Sequence, residues 1–309
     1  MRFTSLLLTL FCTCCLAQQP GALLQSDSLS GTTIHSDSPL YYDRLPDEIE
    51  LSRFKKQAIQ SVSVTTGYLG DSGLSDQFLD LSIGSGIPLG NFDNLLGVKP
   101  RVRIDWIDTD LSDDIPSQLY EFEMQFFYRR ALRERLSAMF IFSPSIRSDL
   151  TTSKNAFRVF ALGLLNWEYI PDRLTLSAGA VYLGRADLPV VPALGLTWTP
   201  NRLHRLELRF PTSKYSRRLS KNGGQNEMWA YISGGLGGNT WAITRQSSQP
   251  DELSLRDIRL TVGIEKLING GGGWFAEAGY AMGRQVEFES DNSKIELDDA
   301  GTFQLGWRY

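Results

Sequence analysis

From about residue 59 to the end of the chain, apolar and polar residues keep changing places with a period of two. Leu79, Leu81 and Ile83 are interleaved with Asp80, Ser82 and Gly84. Val102, Ile104 and Trp106 alternate with Arg101, Arg103 and Asp105. Tyr120, Phe122, Met124, Phe126 and Tyr128 are set against Glu121, Glu123, Gln125 and Arg129. The same rhythm returns in Leu174 to Tyr182, Leu206 to Phe210 and Ile258 to Ile264. Successive side chains of a strand point to opposite faces, so each segment predicts a strand with one apolar and one polar face. A helix would scatter these residues over mixed faces. Segments 134–144 and 156–169 alternate less cleanly, because both of their faces are apolar. The count comes to about fourteen strands, or twelve if a weak pair is misread. The chain stops inside the last one, with Phe303, Leu305, Trp307 and Tyr309 on one face and Thr302, Gln304, Gly306 and Arg308 on the other.

The connections sort into two kinds. Arg130 to Glu134, Ile170 to Asp172, Pro200 to Arg202, Gly237-Gly238 and Ile268 to Gly272 are short. Between them lie Asp108 to Ser117, Arg147 to Asn155, Pro211 to Gln225, Ser247 to Ser254 and Ser290 to Asp299, which are longer and polar. A membrane barrel has short turns at one end and longer loops at the other. A soluble sandwich has no reason to sort its loops. Two places resist: Gly90 to Val98 is long for an inner turn, and Arg185 to Leu188 is short for an outer loop.

The start of the chain differs. Arg2, the apolar run Leu6 to Phe11 and small residues before Ala17 describe a secretory leader over residues 1–17, cut after Ala17. All three cysteines, Cys12, Cys14 and Cys15, fall inside it, so the expected mature chain has no disulfide framework and no thiolate site. Residues 18–57 are polar and turn-rich, as in Gln25 to Gly31 and Ser36 to Pro39, and predict a short disordered periplasmic arm. A plug inside the lumen is the alternative. Beyond the leader no run approaches the ~20 apolar residues of a membrane helix. A membrane-spanning mature chain must then be a closed barrel, which alone among sheets pairs every backbone group in lipid. The expected fold is therefore all-β, a transmembrane antiparallel up-and-down β-barrel over residues 58–309.

The terminal strand, with its aromatic last residue, resembles the closing strand of bacterial outer-membrane barrels. That resemblance implies that Phe303, Leu305, Trp307 and Tyr309 are read by the barrel assembly machinery. The last third is similar to an uncharacterised outer-membrane barrel family known only as a domain of unknown function. Pro192 to Trp198, Leu206 to Pro211, Gly234-Gly235, Asp257-Ile258-Arg259-Leu260 to Gly263, and Glu277-Ala278-Gly279-Tyr280 with Arg284 carry the likeness, over roughly residues 189–309. It implies the architecture and the outer membrane of a diderm bacterium, and names no cargo.

Composition changes this picture little. Apolar residues make up 42%, too few for a helical membrane protein and suitable for strands with one lipid face. A net charge of −4 gives no field that favours nucleic acid. The candidate chemistry lies in the polar faces. Arg101, Arg103, Arg129, Arg158, Arg205, Arg209, Arg259 and Arg308 would share the lumen with Glu121, Glu123, Glu207, Asp257 and Glu277, and also with Asp80, Asp105, Glu168 and Glu265. One reading is a water-filled, mixed-charge pore for small polar solutes. The other is a set of cross-strand ion pairs packed into a closed interior. Fourteen strands leave more room than side chains fill, judged from eight-stranded barrels that are just filled. Lys214, Arg217, Arg218 and Lys221 are read as an outer basic loop, either solvated or able to meet anionic lipid headgroups or an anionic solute. No catalytic constellation, metal set or cofactor motif emerges. His35 and His204 are the only histidines, no Ser sits in a nucleophile-elbow context, and no helix follows the glycine run at Gly270 to Gly273. The expectation is a non-enzymatic porin-like barrel whose partners are outer-membrane lipid, the assembly machinery and small polar solutes. A structural or surface-interaction barrel comes second and a soluble secreted β protein third.

Overall fold

The computed structural model describes residues 49–309, apart from 53, 54, 56, 72, 113, 183–189 and 210; the side chains of 91–93 are also not described. The expected leader, most of the expected arm, His35 and the connection at Arg185 to Leu188 lie outside the described residues.

Fifteen strands follow one another: β1 (Ile59–Gly70), β2 (Leu74–Leu89), β3 (Asn91–Thr109), β4 (Gln118–Arg133), β5 (Leu136–Ser148), β6 (Phe157–Ile170), β7 (Leu174–Tyr182), β8 (Val190–Asn201), β9 (His204–Arg209), β10 (Thr212–Asn222), β11 (Asn226–Thr244), β12 (Pro250–Ile268), β13 (Gly272–Phe288), β14 (Ser293–Glu296) and β15 (Ala300–Arg308). Each strand from β1 to β13 pairs antiparallel with the next, and β15 pairs with both β13 and β1, so the sheet closes on itself. Short β14 pairs only with the outer end of β13 and leads into β15. The wall is therefore a closed barrel of fourteen antiparallel strands, and no helix occurs among the described residues. The end where β1 begins and β15 finishes is called inner, the other outer.

Alternation decides the faces. On β4, Phe122 and Met124 are exposed on the outside, while Glu121 and Glu123 between them are buried inside. Trp106, Tyr182 and Leu260 also face outwards, and Asp80, Arg101, Arg103 and Asp105 are buried within. Exposed aromatics gather near both rims. Tyr68, Trp106, Phe157 and Tyr182 lie towards the outer end, and Trp167, Tyr169, Trp198, Trp274, Trp307 and Tyr309 towards the inner end. This is the outward apolar band with two aromatic girdles of a membrane barrel. The weakly alternating segments at 134–144 and 156–169 are strands β5 and β6.

Three connections differ from expectation. The long outer loop at Pro211 to Gln225 is instead strand β10, which pairs with β9 on one side and, through the inner turn at Gly223 to Gln225, with β11 on the other. It escapes the alternation test because Lys214, Ser216 and Arg218 on one face oppose Tyr215, Arg217 and Leu219 on the other, so both faces hold polar residues. Gly237-Gly238 is not a turn but lies in the middle of β11. One missed strand and one divided strand cancel, which is why the count stays at fourteen. Finally, the supposedly long inner connection at Gly90 to Val98 is a continuing hairpin. Its turn is at Gly90, with φ +87°, and β3 starts at Asn91.

The glycines inside β11 shape the barrel. Gly238 has φ +95°, and a Cβ there would collide with the Leu255 carbonyl oxygen. Opposite it, the β12–β13 register shifts between Arg256 and Ile258, a bulge of the kind that re-aims strands. Beyond this point β11 leaves its neighbour. Its last pairing with β10 is Thr212 with Gly235, and Ala242 then pairs in parallel with Ser148 of β5. The Asp149 N–H donates to the Ala242 carbonyl at 3.1 Å, and the Thr244 N–H donates to Asp149 Oδ2 at 2.8 Å. The outer end is thus a narrower ring of β1 to β5, β11 to β13 and β15. Leu74, Ile107, Ile115, Leu119, Trp241, Ile243, Leu253, Val286 and Phe288 fill it as one apolar core.

Candidate functional site

Below that apolar seal the inward positions of the same strands turn polar. On β2 to β5 they form a buried ion-pair network. Arg101 Nε donates to Asp80 Oδ2 at 2.6 Å, and its Nη1 lies 3.4 Å from Glu121 and 3.5 Å from Glu123. Arg147 Nε donates to Glu121 Oε1 at 2.8 Å, and Arg103 Nε donates to Asp105 Oδ1 at 2.8 Å. Arg103 also stacks on the Phe78 ring, 3.9 Å from its centroid. A buried charge is tolerated only when paired and hydrogen-bonded, and here every arginine meets at least one carboxylate. Asn239, one residue past the bend in β11, reaches across the lumen and donates from Nδ2 to Glu121 Oε2 at 3.2 Å. The same bend that seals the outer mouth thus also touches the network.

The facing wall is built alike. Arg259 Nε donates to Asp257 at 2.7 Å, and the Tyr231 hydroxyl donates to Glu277 at 2.8 Å. Lys214 Nζ donates to Glu265 at 2.9 Å and lies 3.8 Å above the Tyr231 ring. A cavity of ≈ 110 Å³ remains between the walls, lined in part by Asp76, Asp80, Arg103, Asp257, Arg259 and Glu277.

The wall formed by β8 to β10 is looser. Arg205 and Arg209 approach Glu207 at 3.3 and 3.5 Å, and Arg209 Nη2 donates to Thr197 Oγ1 at 2.6 Å. The Arg209 side chain keeps 27% of its surface exposed, against 5% for Arg101. Arg129, Glu168 and Arg308 are likewise partly exposed inward positions near the inner end. Arg158 differs again. It sits at the outer start of β6 and pairs with Glu252 of β12 at 2.5 Å, helped by Asn155 Nδ2 donating to the same carboxylate at 2.7 Å.

The residues read as an outer basic loop therefore separate. Lys214, Arg218 and Lys221 turn inward, the last two onto Glu227 at 3.4 and 3.0 Å, whereas Arg217 is exposed on the outside. They are not a loop because β10 holds them in the wall. Sequence reasoning also missed Arg147, assigned to a loop. The inward series Ser143, Ser145, Arg147 extends the β5 alternation and carries the signal. Asp76, Asn239 and Arg256, an inward residue of β12 that pairs with Glu287 at 2.8 Å, were missed as well. Asp76 extends the inward series Asp80 and Phe78 of β2, while Asn239 gains its role only from the bend.

At the outer rim the seal is latched. Arg245, at the tip of the β11–β12 hairpin, pairs with Asp251 at 2.6 Å and with Asp291, beyond β13, at 2.9 Å. The Arg245 hydrogen bonds, followed by those from Ser293, hold the Asp291 carboxyl well below the usual carboxylate range. At the inner rim the Gly270 N–H donates to the Ser52 carbonyl at 2.6 Å, and Lys55 Nζ lies 3.7 Å over the Tyr309 ring. Phe303, Leu305, Trp307 and Tyr309 all face outwards. His204 Nδ1 is 2.7 Å from the Tyr215 hydroxyl. No group of three or more metal-ligating side chains occurs among the described residues.

Residues 108–304 match the family described as Domain of unknown function (DUF6268). The chain belongs to that family. The match reaches well upstream of the 189–309 stretch that carries the likeness in sequence, taking in β4 to β7. A search of curated proteins finds no match. Among solved structures the chain is similar to a Rhodopseudomonas blastica porin mutant at 10% identity, covering 81% of this chain and 97% of that one with a TM-score of 0.25. It is similar to the TodX monoaromatic hydrocarbon channel deltaS2 mutant at 11% identity, covering 80% and 87%, TM-score 0.32. OccK5 (OpdH) of Pseudomonas aeruginosa follows at 10% identity, covering 81% and 96%, TM-score 0.30. The closed strand pairing of this chain, not these superpositions, defines its fold.

Proposed function

We propose that this DUF6268 chain is a non-enzymatic, porin-like barrel of a bacterial outer membrane, captured with its outer mouth closed. It passes small polar solutes when the outer half of the β11–β12 hairpin swings away about Gly237-Gly238. The observation that carries this reading is the partly exposed charge on the inner wall at Arg205, Glu207 and Arg209, inside a barrel whose outside is apolar. Such charges need water, so the inner vestibule is wet, and the apolar core together with the paired charges directly beneath it, tied across the lumen by Asn239 and Glu121, blocks passage. The leader over residues 1–17 would direct export, and the terminal strand ending at Tyr309 would be taken up by the assembly machinery. With both signs on the walls, selectivity by charge is weak.

A second reading has its own support. The outer core is as tightly buried as that of a soluble protein, with Leu119, Ile243 and Leu253 fully enclosed, which suits a structural barrel that never opens.

Planar-bilayer recording separates the two. Wild type is expected to be silent or to open briefly. A variant lacking residues 240–252 should conduct steadily, and in that background Arg205→Glu with Arg209→Glu should shift the reversal potential in a salt gradient towards cations. A folded deletion variant that still conducts nothing leaves only the structural reading.

A further inference from the structure

Arg217 is the one basic residue of β10 that turns outward next to the β8–β9 inner turn, and its surroundings suit a ligand. The Arg218 N–H donates to the Leu203 carbonyl of that turn at 2.8 Å, which sets Arg217 at the inner rim. Its neighbours across the two strand ladders are His204 and Ala230. His204 stacks on Tyr215, with ring centroids 6.0 Å apart, and its Nδ1 lies 2.7 Å from the Tyr215 hydroxyl. A guanidinium, an imidazole and a hydroxyl therefore share one outward patch, and none of the outward neighbours across the ladders or along β10 is a carboxylate. Directly beside it runs an open groove of ≈ 580 Å³, floored by Ala230, Ala276 and Ala278 and walled by Ile232, Val262 and Phe303. The small alanines hollow the groove between larger apolar side chains, and its path leads from Arg217 towards mid-wall, because Val262 pairs with both Ile232 and Ala278 and Ala278 with Phe303.

We propose that this face binds an anionic phospholipid of the periplasmic leaflet. Its phosphate sits on the Arg217 fork, within reach of the His204–Tyr215 pair, and one acyl chain lies in the alanine-floored groove. The site rests on the outer-membrane reading above. The physical case is complementarity. An arginine facing hydrocarbon is costly at the membrane midplane and tolerable at the interface, where a phosphate neutralises it. Arginine also recognises phosphate through parallel N–H donors.

The test is native mass spectrometry of the detergent-purified barrel, titrated with phosphatidylglycerol or phosphatidylcholine, beside insertion of the same protein into liposomes. Wild type should retain one phosphatidylglycerol with at least about tenfold preference over phosphatidylcholine. Arg217→Gln should lose that preference while folding normally, and Ala276→Phe, which fills the groove, should weaken both lipids. A barrel that inserts into liposomes yet binds the two lipids alike overturns the site alone, as does an Arg217→Gln variant with its preference intact. Protein dimers in place of lipid adducts would assign the face to a second copy and overturn the lipid proposal. A chain that stays soluble without detergent overturns the membrane reading and the site with it.

Discussion

Leu253 and Glu207 both point into the same barrel, yet Leu253 is fully enclosed among apolar side chains and Glu207 remains partly wet. The difference follows from the size of the ring around each. At the level of Leu253 the wall has been narrowed by the crossing of β11 to β5 to a ring of nine strands, close to the eight that side chains alone just fill. At the level of Glu207 all fourteen strands contribute, and the wider interior is filled by paired charges on the β2 to β5 side but stays partly wet along β8 to β10. The two levels therefore call for different residues on the inward face. Leu74, Ile107, Leu119, Trp241 and Leu253 serve at the narrow level, while Asp80, Arg101, Glu121, Arg205 and Arg259 serve below it. One strand can meet both demands in turn, as β2 does between Leu74 and Asp80.

The strongest way to break this comparison is to remove volume at each level. Leu253→Ala leaves a cavity in a core that cannot collapse and should cost about 2–5 kcal/mol. Glu207→Ala removes the carboxylate shared by Arg205 and Arg209 but leaves no dry apolar cavity, and water in the looser wall can solvate the two arginines, so it should cost about 1–2 kcal/mol. Urea titration of liposome-refolded protein, followed by tryptophan fluorescence, measures both. Equal losses at the two sites would mean that the outer end is not a packed core.

The bend itself gives a smaller effect. Gly238→Ala forces a side chain into a left-handed backbone position against the Leu255 carbonyl, which should cost roughly 1–3 kcal/mol. Gly234→Ala, four residues away with only ordinary contacts about its Cβ, should cost less than about 0.5 kcal/mol. A cysteine placed at 243 should also become accessible to a charged thiol reagent in the Gly238→Ala background and stay protected in the Gly234→Ala one. Protection in both would show that the hairpin is not hinged at this glycine.

Much of this was legible in the chain, and the rest failed for physical reasons. Strands such as β4 announce themselves because one face meets lipid and the other meets charge. Strand β10 does not, because Arg217 occupies an outward position that the pattern reserves for apolar residues. Gly237-Gly238 was read as a turn because the same freedom of φ serves turns and bulges. The seal left a trace that alternation alone did not expose. In β11 the outward even positions hold Met228, Ala230 and Ile232 before the glycines but Thr240 and Thr244 after them, while the aliphatic residue on the inward odd positions, Ile243, comes only after them. In β12 the apolar residues pass from Leu253 and Leu255 to Ile258, Leu260 and Val262. A change of phase without a break in pairing means that the apolar face has moved from the outside to the inside. The inward face of the lumen was also legible, since charge cannot face lipid. Whether those charges are paired or wet depends on ring width, which no single strand records.

The outer latch should give the smallest effect, and pH sharpens it. Arg245 holds the Asp291 carboxyl below its ordinary range, so the folded state binds that proton less readily than the unfolded chain does. The sign follows directly. The latch contributes fully above the unfolded carboxylate pKa of about 4 and fades as pH falls through the lower folded value. Asp291→Asn should therefore lower the urea midpoint slightly near neutral pH, and the gap from wild type should shrink as the solution is taken well below pH 4. The loss stays small because Asp291 is exposed and Asp251 still holds Arg245 at 2.6 Å from the other side. Removing Asp251 as well should give a larger loss than the two single changes added together, since each carboxylate covers for the other. Additive losses, or a gap that widens in acid, would show that Arg245 is not the shared hinge-pin of the outer seal.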